Sequence, residues 1–170
     1  MSCLDVLYNQ TITLFNRIPG KEDETAIWIP TIIDGVHLVS KKSSDWYGSG
    51  SPGSNDTKLN ILYKKVDGDI LVKCRDINDP CCVFYKKWYD RREWWKLSGA
   101  EDGLTFSYGE NNEFDFFIEG VFVDFCSPIR ESDFERIGFY NYMVSEYEDV
   151  YAINSVQRFS LIPHFEITAK

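Results

Sequence analysis

The sequence predicts a mainly β fold, a small antiparallel β-barrel with one packed α-helix and long loop insertions. Three observations lead to this prediction. Short apolar runs recur along the chain, two Asp-Gly pairs separate such runs, and one segment, residues 133–147, has convincing helical spacing. The 170 residues are 44% hydrophobic and 16% aromatic. That is enough for one core, so we expect a single domain over residues 1–170.

The first half of the chain has the pattern of consecutive hairpins, starting with a strand at residues 11–16. Asp-Gly between apolar runs is typical of a two-residue hairpin turn. We therefore expect one turn at Asp34 and Gly35, between strands 26–33 and 36–39, and a second at Asp67 and Gly68, between strands 59–66 and 70–75.

Residues 41–57 form a predicted flexible loop, because they are rich in glycine and serine. Lys41 and Lys42 lie at its base, and Trp46 and Tyr47 are embedded in it. A loop of this length in a compact domain is either functional or an unstructured surface insertion. The sequence leaves both interpretations open.

A second insertion, residues 76–109, is predicted to be a hairpin or an irregular, aromatic-rich excursion. Cationic and aromatic side chains alternate in its central part, and this pattern marks a candidate binding surface. The candidate residues are Tyr85, Lys86, Lys87, Trp88, Arg91, Arg92, Trp94 and Trp95.

Such a surface can stack bases or sugars, and it can equally form the centre of a protein–protein interface. The acidic stretch 101–124 follows it directly, and the net charge of the chain is -9. An acidic chain is a poor general binder of nucleic acid. We therefore favour a head-to-tail contact between identical subunits, with the basic surface of one copy against the acidic stretch of the next.

The single predicted helix begins at a capping-box pattern formed by Ser132 and Glu135. After it an apolar stripe recurs at spacings of three and four, formed by Phe134, Ile137, Tyr140, Val144 and Tyr147. Two strands follow, at residues 150–159 and 164–168, and Pro163 marks the break between them. Apolar residues of both parities in the first of these strands predict that both of its faces are covered.

No residue set predicts catalysis, and we expect neither an enzyme nor a cofactor. A zinc site would draw on Cys74, Cys81, Cys82, Cys126, His37 and His164. Its only close pair is the vicinal Cys81 and Cys82, which is poor geometry for chelation. Without a predicted secretion signal, the cysteines are expected to be reduced thiols. No apolar run is long enough to predict a membrane span.

The carboxylates of the acidic stretch are Glu101, Asp102, Glu110, Glu113, Asp115, Glu119 and Asp124. Two of them facing each other across a cleft would suit a glycosidase. A solvated or interface face explains such a run more simply. The alternative function is accordingly a glycan-binding or glycan-cleaving module that uses Trp88, Trp94 and Trp95.

Several short segments carry a resemblance to a known family. They are residues 11–17 (Thr-Ile-Thr-Leu-Phe-Asn-Arg), Trp28, Thr31, Ile33, residues 35–37 (Gly-Val-His), residues 114–120, residues 151–156 and residues 164–168 (His-Phe-Glu-Ile-Thr). Together they resemble a family of small structural proteins of tailed bacteriophages, the head-completion or minor capsid proteins at the head–tail connector. The resemblance covers both ends of the chain and residues 114–168. It does not extend to residues 41–57 or 76–109.

The resemblance implies a non-catalytic neck protein of the virion, made in the host cytoplasm. In a head-closure (stopper) role, a six- or twelve-fold ring would join the portal or adaptor to the tail and help retain DNA. The loop residues Lys41, Lys42, Trp46 and Tyr47 would then face the channel, with transient DNA contact. A tail terminator or another connector is the alternative within this class.

Overall fold

The computed structural model describes residues 6–22, 24–40, 57–79, 81–98, 102–109, 113–125, 127–134 and 136–170. Within them the strands are β1 (Gln10–Ile18), β2 (Ile27–Val39), β3 (Thr57–Val66), β4 (Asp69–Arg75), β5 (Val83–Trp88), β6 (Gly103–Leu104), β7 (Phe116–Glu119), β8 (Ile129–Arg130), β9 (Val150–Phe159) and β10 (His164–Ala169). The helices are α1 (Arg91–Lys96), α2 (Phe139–Glu146) and a 3-10 turn, Glu131–Phe134.

Seven of the strands form a closed antiparallel barrel, in the order β4-β3-β10-β9-β7-β1-β2. The barrel closes where β2 pairs with β4, with Ile33 opposite Cys74. This confirms the predicted mainly β barrel with a packed helix. Outside the barrel, β5 and β6 extend the sheet beyond β4, and β8 pairs with the beginning of β2.

The predicted hairpin at Asp34 and Gly35 is wrong, because β2 runs through both residues as one strand. Gly35 has φ +68° and forms a bulge opposite β1, where the register shifts between Gln10 and Thr11. The Asp34 carboxylate accepts hydrogen bonds from Thr11 (2.7 Å) and from Arg75 (2.8 Å). The bulge thus bends β2, and the bent strand pairs with β4 before it and with β3 after it.

The predicted hairpin at Asp67 and Gly68 is confirmed, and it joins β3 to β4. Both turn residues have positive φ, +51° and +91°. Positive φ at both central positions is the requirement of a tight turn whose twist matches the strands.

Two apolar cores lie on the two sides of the barrel wall. The interior core includes Ile12 and Leu14 of β1 and Phe165 of β10, all fully buried. The second core lies outside the wall, where Phe15 and Phe116 stack with 4.8 Å between ring centroids and α2 covers them. Alternation along β1 therefore supplies both cores, because successive side chains point to opposite faces.

The predicted helix is present, but its beginning and its buried face differ from the prediction. α2 starts at Phe139, and Ser132 belongs to the separate 3-10 turn. Glu131 supplies the cap instead, because its carboxylate accepts hydrogen bonds from the Phe139 backbone N–H (3.3 Å) and from the Trp28 indole. The buried helix residues are Phe139 and Met143, whereas the predicted stripe residues Ile137 and Val144 are 50% and 49% exposed.

Replacing Gly138 with Ala is expected to lower the free energy of unfolding by about 1–3 kcal/mol. Gly138 has φ +80° and ψ 157°, a conformation that side chains disfavour, and an added Cβ would lie 2.6 Å from Glu131 Oε1. Urea unfolding measures the loss. Gly120→Ala is the matched control, because Gly120 has φ +89° but nothing within 4 Å of an added Cβ. Equal losses in the two variants would contradict a role for the Glu131 contact.

The C-terminal hairpin matches its predicted strands, with β9 and β10 on either side of residues 160–163. β10 alternates as expected, with Phe165 and Ile167 fully buried. The prediction that β9 is covered on both faces holds only for its first part. Val150 packs on the outer core and Tyr151 on the interior core, whereas Arg158 and Phe159 are exposed.

Candidate functional site

The segment that carries the predicted binding surface forms an annex on one edge of the barrel. We use the term annex for β5, α1 and β6. β5 pairs antiparallel with β4, and β6 returns to pair parallel with the end of β5. The predicted hairpin or irregular excursion over residues 76–109 is thus a strand, a short helix and a two-residue strand.

Alternation along β5 divides the predicted surface between two faces. Tyr85 is 45% exposed on the outer face, whereas Lys86 is buried and its Nζ donates to Thr31 Oγ1 at 3.2 Å. Trp88 also faces inward and packs against the interior core. Lys86 is therefore not available to a partner, which corrects its prediction as a surface residue.

The lysines on and beside the outer face of the annex already have partners within the chain. Lys64 lies over the Tyr85 ring at 3.4 Å from the centroid, and Lys87 contacts Asp69 at 2.8 Å. The hydrogen bond to Asp69 raises the pKa of Lys87 above its usual value. Because these cations have intramolecular partners, the outer face is a weak candidate for binding an anion.

Helix α1 fixes the rest of the annex. The Asp90 side chain caps it by accepting from the backbone N–H groups of Arg92 (2.9 Å) and Glu93 (3.1 Å). Trp94 is fully buried, next to Gly103, where an added Cβ would lie 3.0 Å from its ring. The prediction of Trp94 as a surface residue is therefore wrong, while Arg92 on the same helix is exposed.

A cleft of about 640 Å³ lies between the annex and the C-terminal hairpin. Its aromatic wall is continuous, because Phe165 contacts Trp88 at 5.4 Å and Phe106 at 5.0 Å between ring centroids. The lining residues are Trp88, Asp90, Arg91, Arg92, Phe106, Ser107, Tyr108, Val156, Arg158 and Phe165.

Three arginines give this cleft a positive charge. Arg91 donates to the Tyr108 backbone carbonyl at 3.1 Å and lies 5.0 Å from the Trp95 ring centroid. Arg158 lies over Trp88 at 5.6 Å. The cleft therefore brings together predicted residues Trp88, Arg91 and Arg92 with Arg158, which sequence analysis missed because it is distant in the chain.

The predicted acidic stretch does not form one face. Asp115 is fully buried, and Glu113 is half-exposed, 3.9 Å from Arg91. Asp124 is exposed and accepts a hydrogen bond from Tyr147 at 3.2 Å. Glu101 and Glu110 lie outside the described residues, as do the predicted channel residues Lys41, Lys42, Trp46 and Tyr47.

Asp115 is instead the centre of a buried polar network. Its carboxylate accepts hydrogen bonds from the backbone N–H groups of Arg17 (2.8 Å) and Ser107 (2.7 Å) and from the Asn16 amide (2.9 Å). Burial outweighs these hydrogen bonds and raises the pKa of Asp115 to about 7. The network joins β1 to residues 105–107 and to the start of β7, so its role is structural.

Of the residues on which a zinc site would draw, those that the structure describes are dispersed. His164 stacks on Phe159 at 4.9 Å, and Cys74 is buried, which raises the pKa of its thiol to about 12. Among the described residues, no three His, Cys, Asp or Glu side chains are grouped as metal ligands would be. Cys126 lies outside those residues. The described helices are all too short or too polar to span a bilayer.

Comparison with known protein families finds a match to most of the chain. Residues 7–170 match the model of DUF6751, a family described as a family of unknown function. The sequence matches no curated protein and no solved structure. Because the match covers nearly the whole chain, the protein belongs to the DUF6751 family.

Proposed function

We propose that the protein is a structural subunit of a tailed-phage neck, where it forms a six- or twelve-fold ring between the portal or adaptor and the tail. The single observation that carries the proposal is the arginine-lined aromatic cleft at one edge of a closed barrel. Arginine and aromatic side chains around an apolar centre are typical of protein interfaces. The resemblance of the first and last strands to head-completion proteins supplies the virion setting.

The arrangement of the tryptophans favours this role over glycan binding. A sugar platform would need exposed rings side by side, yet Trp94 is fully buried. Trp95 is half-buried beside the Arg91 guanidinium. Only Trp88 of the three lines the cleft. The residues thus support a protein partner better than a carbohydrate.

The proposal extends to residues 41–57, which lie between β2 and β3 except for Thr57, the first residue of β3. These strands are neighbours, and Val39 pairs with Lys58, so the segment leaves and rejoins the barrel at one end. In a stopper ring, such segments would converge on the channel axis and hold DNA in the head. Lys41 and Lys42 would then make the transient phosphate contacts.

Two deletions test this function in the genome that encodes the chain. Without the protein, we expect DNA-filled heads that fail to join tails. With residues 43–55 shortened to a tight turn, we expect necks that assemble on heads that package DNA and then lose it. Electron microscopy of the particles and measurement of protected DNA distinguish the two outcomes.

The matched control is a chain whose residues 43–55 are replaced by Gly and Ser at unchanged length. If gating depends only on filling the channel, this control retains DNA. Infectious, tailed particles made without the protein would contradict the neck role. Stable, filled virions from the shortened chain would contradict the gate but not the ring.

A further inference from the structure

We propose that the cleft of one subunit binds an acidic surface on a second copy of this chain, formed by Asp124, Glu146 and Glu148. This inference names the contact that would build the proposed ring, and it depends on the proposed function only for its biological setting. It replaces the predicted partner, the stretch 101–124, with a surface drawn from two segments.

The acidic surface is assembled where the segment after β7 packs against the end of α2. Phe122 and Tyr147 make an edge-on ring contact at 5.2 Å, and the Tyr147 hydroxyl donates to Asp124 Oδ2 at 3.2 Å. Glu146 and Glu148 flank Tyr147 and are exposed. Burial, the hydrogen bond to Asp124 and the nearby charge of Glu146 all raise the pKa of Tyr147, which is consistent with a negative local field.

Exposed apolar side chains accompany these carboxylates. Val121 and Val123 are 51% and 55% exposed on the segment after β7, and Val144 is 49% exposed on α2. A carboxylate rim beside valines complements a cleft with arginines beside aromatic rings. Contact between the two would therefore bury apolar area and pair opposite charges together.

The cleft has cations available for such pairing. Among the residues that the structure describes, neither Arg92 nor Arg158 has a carboxylate partner. Asp90 is the one carboxylate among the described residues that line the cleft, and the backbone of α1 engages it. An incoming carboxylate would thus meet the guanidinium groups of Arg92 and Arg158, which pair with no carboxylate in the described part of the chain.

The two surfaces lie at opposite ends of β9, so one subunit cannot join them within itself. Val150 at the start of the strand pairs with Ile118, close to the acidic surface, whereas Arg158 at the far end lines the cleft. Arg158 lies eight residue steps along the strand from Val150, a span of about 27 Å. Different patches that meet between identical chains make a heterologous contact, the kind that generates rings when its rotation closes.

Disulfide trapping of the purified full-length protein tests the contact even if it is weak. In a background in which Cys3, Cys81, Cys82 and Cys126 are replaced by Ser, so that only the buried Cys74 remains, Arg92→Cys is combined with Glu148→Cys. Under mild oxidation we expect a ladder of dimers, trimers and larger species on non-reducing gels. The matched control replaces Arg92→Cys with Lys65→Cys, at the exposed end of β3, and its ladder should be about tenfold weaker.

Charge reversal then tests whether the pairing is specific. Arg158→Glu in the trapping background should reduce the ladder about tenfold, and adding Glu146→Arg should restore most of it. A ladder no stronger than the Lys65 control would overturn the proposal, as would dimers that form equally well when Arg92→Cys is present without Glu148→Cys. The proposal would also be overturned if the protein bound a single-stranded oligonucleotide, Arg158→Glu abolished that binding, and no ladder formed. The cleft would then be a nucleic-acid site.

These outcomes are separate from those of the neck experiments. A ladder from a chain that is absent from virions would support the contact and contradict the neck function. If virion assembly requires the protein but tolerates Arg158→Glu, and no ladder is trapped, the function is supported and this contact is contradicted.

Discussion

Replacing Trp94 with Ala is expected to lower the free energy of unfolding by about 3–5 kcal/mol, because the indole is fully buried and its removal leaves a cavity in the annex. The cavity would open beside Gly103. Urea unfolding monitored by fluorescence and circular dichroism measures the loss. An effect below about 1 kcal/mol would contradict the buried position.

Two neighbouring variants sharpen this test. The indole N–H of Trp94 has no hydrogen-bond partner among the described residues, so Trp94→Phe removes an unsatisfied group and should cost much less than Ala. Trp95 is only half-buried, and Trp95→Ala should cost clearly less stability than Trp94→Ala. If Trp94→Ala lost glycan binding, the cause would be the damaged packing of the annex, because the buried Trp94 ring cannot stack on a sugar.

Replacing Asp115 with Ala is expected to be comparably destabilising. Three donors now bind its carboxylate, the backbone N–H groups of Arg17 and Ser107 and the Asn16 amide. Each buried donor left without a partner costs about 1–3 kcal/mol. The two backbone N–H groups lose their partner, whereas the Asn16 amide keeps its hydrogen bond to the Thr105 carbonyl, so the expected loss is at least about 2 kcal/mol. Asp124→Ala is the matched control, because Asp124 is exposed and should change stability little.

The same carboxyl gives stability a pH dependence of defined sign. Its pKa is about 7 in the folded state, well above the ordinary value of 3.8. Between these two pKa values the folded chain binds more protons than the unfolded chain. The stabilisation from protonated Asp115 is therefore complete at low pH and is lost as pH rises towards 7. Over that interval the loss is on the order of 4 kcal/mol.

The difference in unfolding free energy between the wild type and Asp115→Asn, measured from pH 4 to pH 8, isolates this contribution. The amide cannot titrate, so the wild-type advantage should shrink as pH rises. A constant difference would show that the pKa of Asp115 is not raised. The pKa of Asp34 is lowered, so Asp34 makes stability change with pH in the opposite direction. Because Asp34 is present in both the wild type and Asp115→Asn, its effect cancels in the difference.

The two Asp-Gly pairs show how far local patterns reach. Asp67 and Gly68 form the predicted turn, because the strands beside them pair only with each other at that point. At Gly35 the same dipeptide is a bulge, because β1 pairs with β2 on both sides of it and Thr11 and Arg75 hold Asp34 in place. Those partners are distant in sequence, so local turn chemistry could not distinguish the two cases.

The helix and the site show the same limit. Ser132 has the sequence pattern of a helix cap, but it is the Glu131 carboxylate that accepts the hydrogen bond from the first N–H of α2. The Trp28 indole donates to the same carboxylate, and only the folded barrel brings Trp28 to it. Alternation along β5 places Lys86 on the inner face and Tyr85 on the outer face. Assigning this segment as a strand from the sequence would have put the two residues on different faces. Arg158 carried no local signal, because only the pairing of β9 with β10 brings it to the annex side.

The position of β10 between β3 and β9 has a consequence for how the chain acquires its structure. Ile61 pairs with Phe165, and Ile12 with Glu119, so the barrel closes through pairings between distant segments. Loop-closure entropy must be overcome before such pairings stabilise the chain, and folds of this kind take milliseconds to seconds. Until β10 inserts, β3 and β9 present unpaired edges that can capture other chains. A partner that recognised only the finished barrel would therefore meet chains in which β10 already covers the edges of β3 and β9.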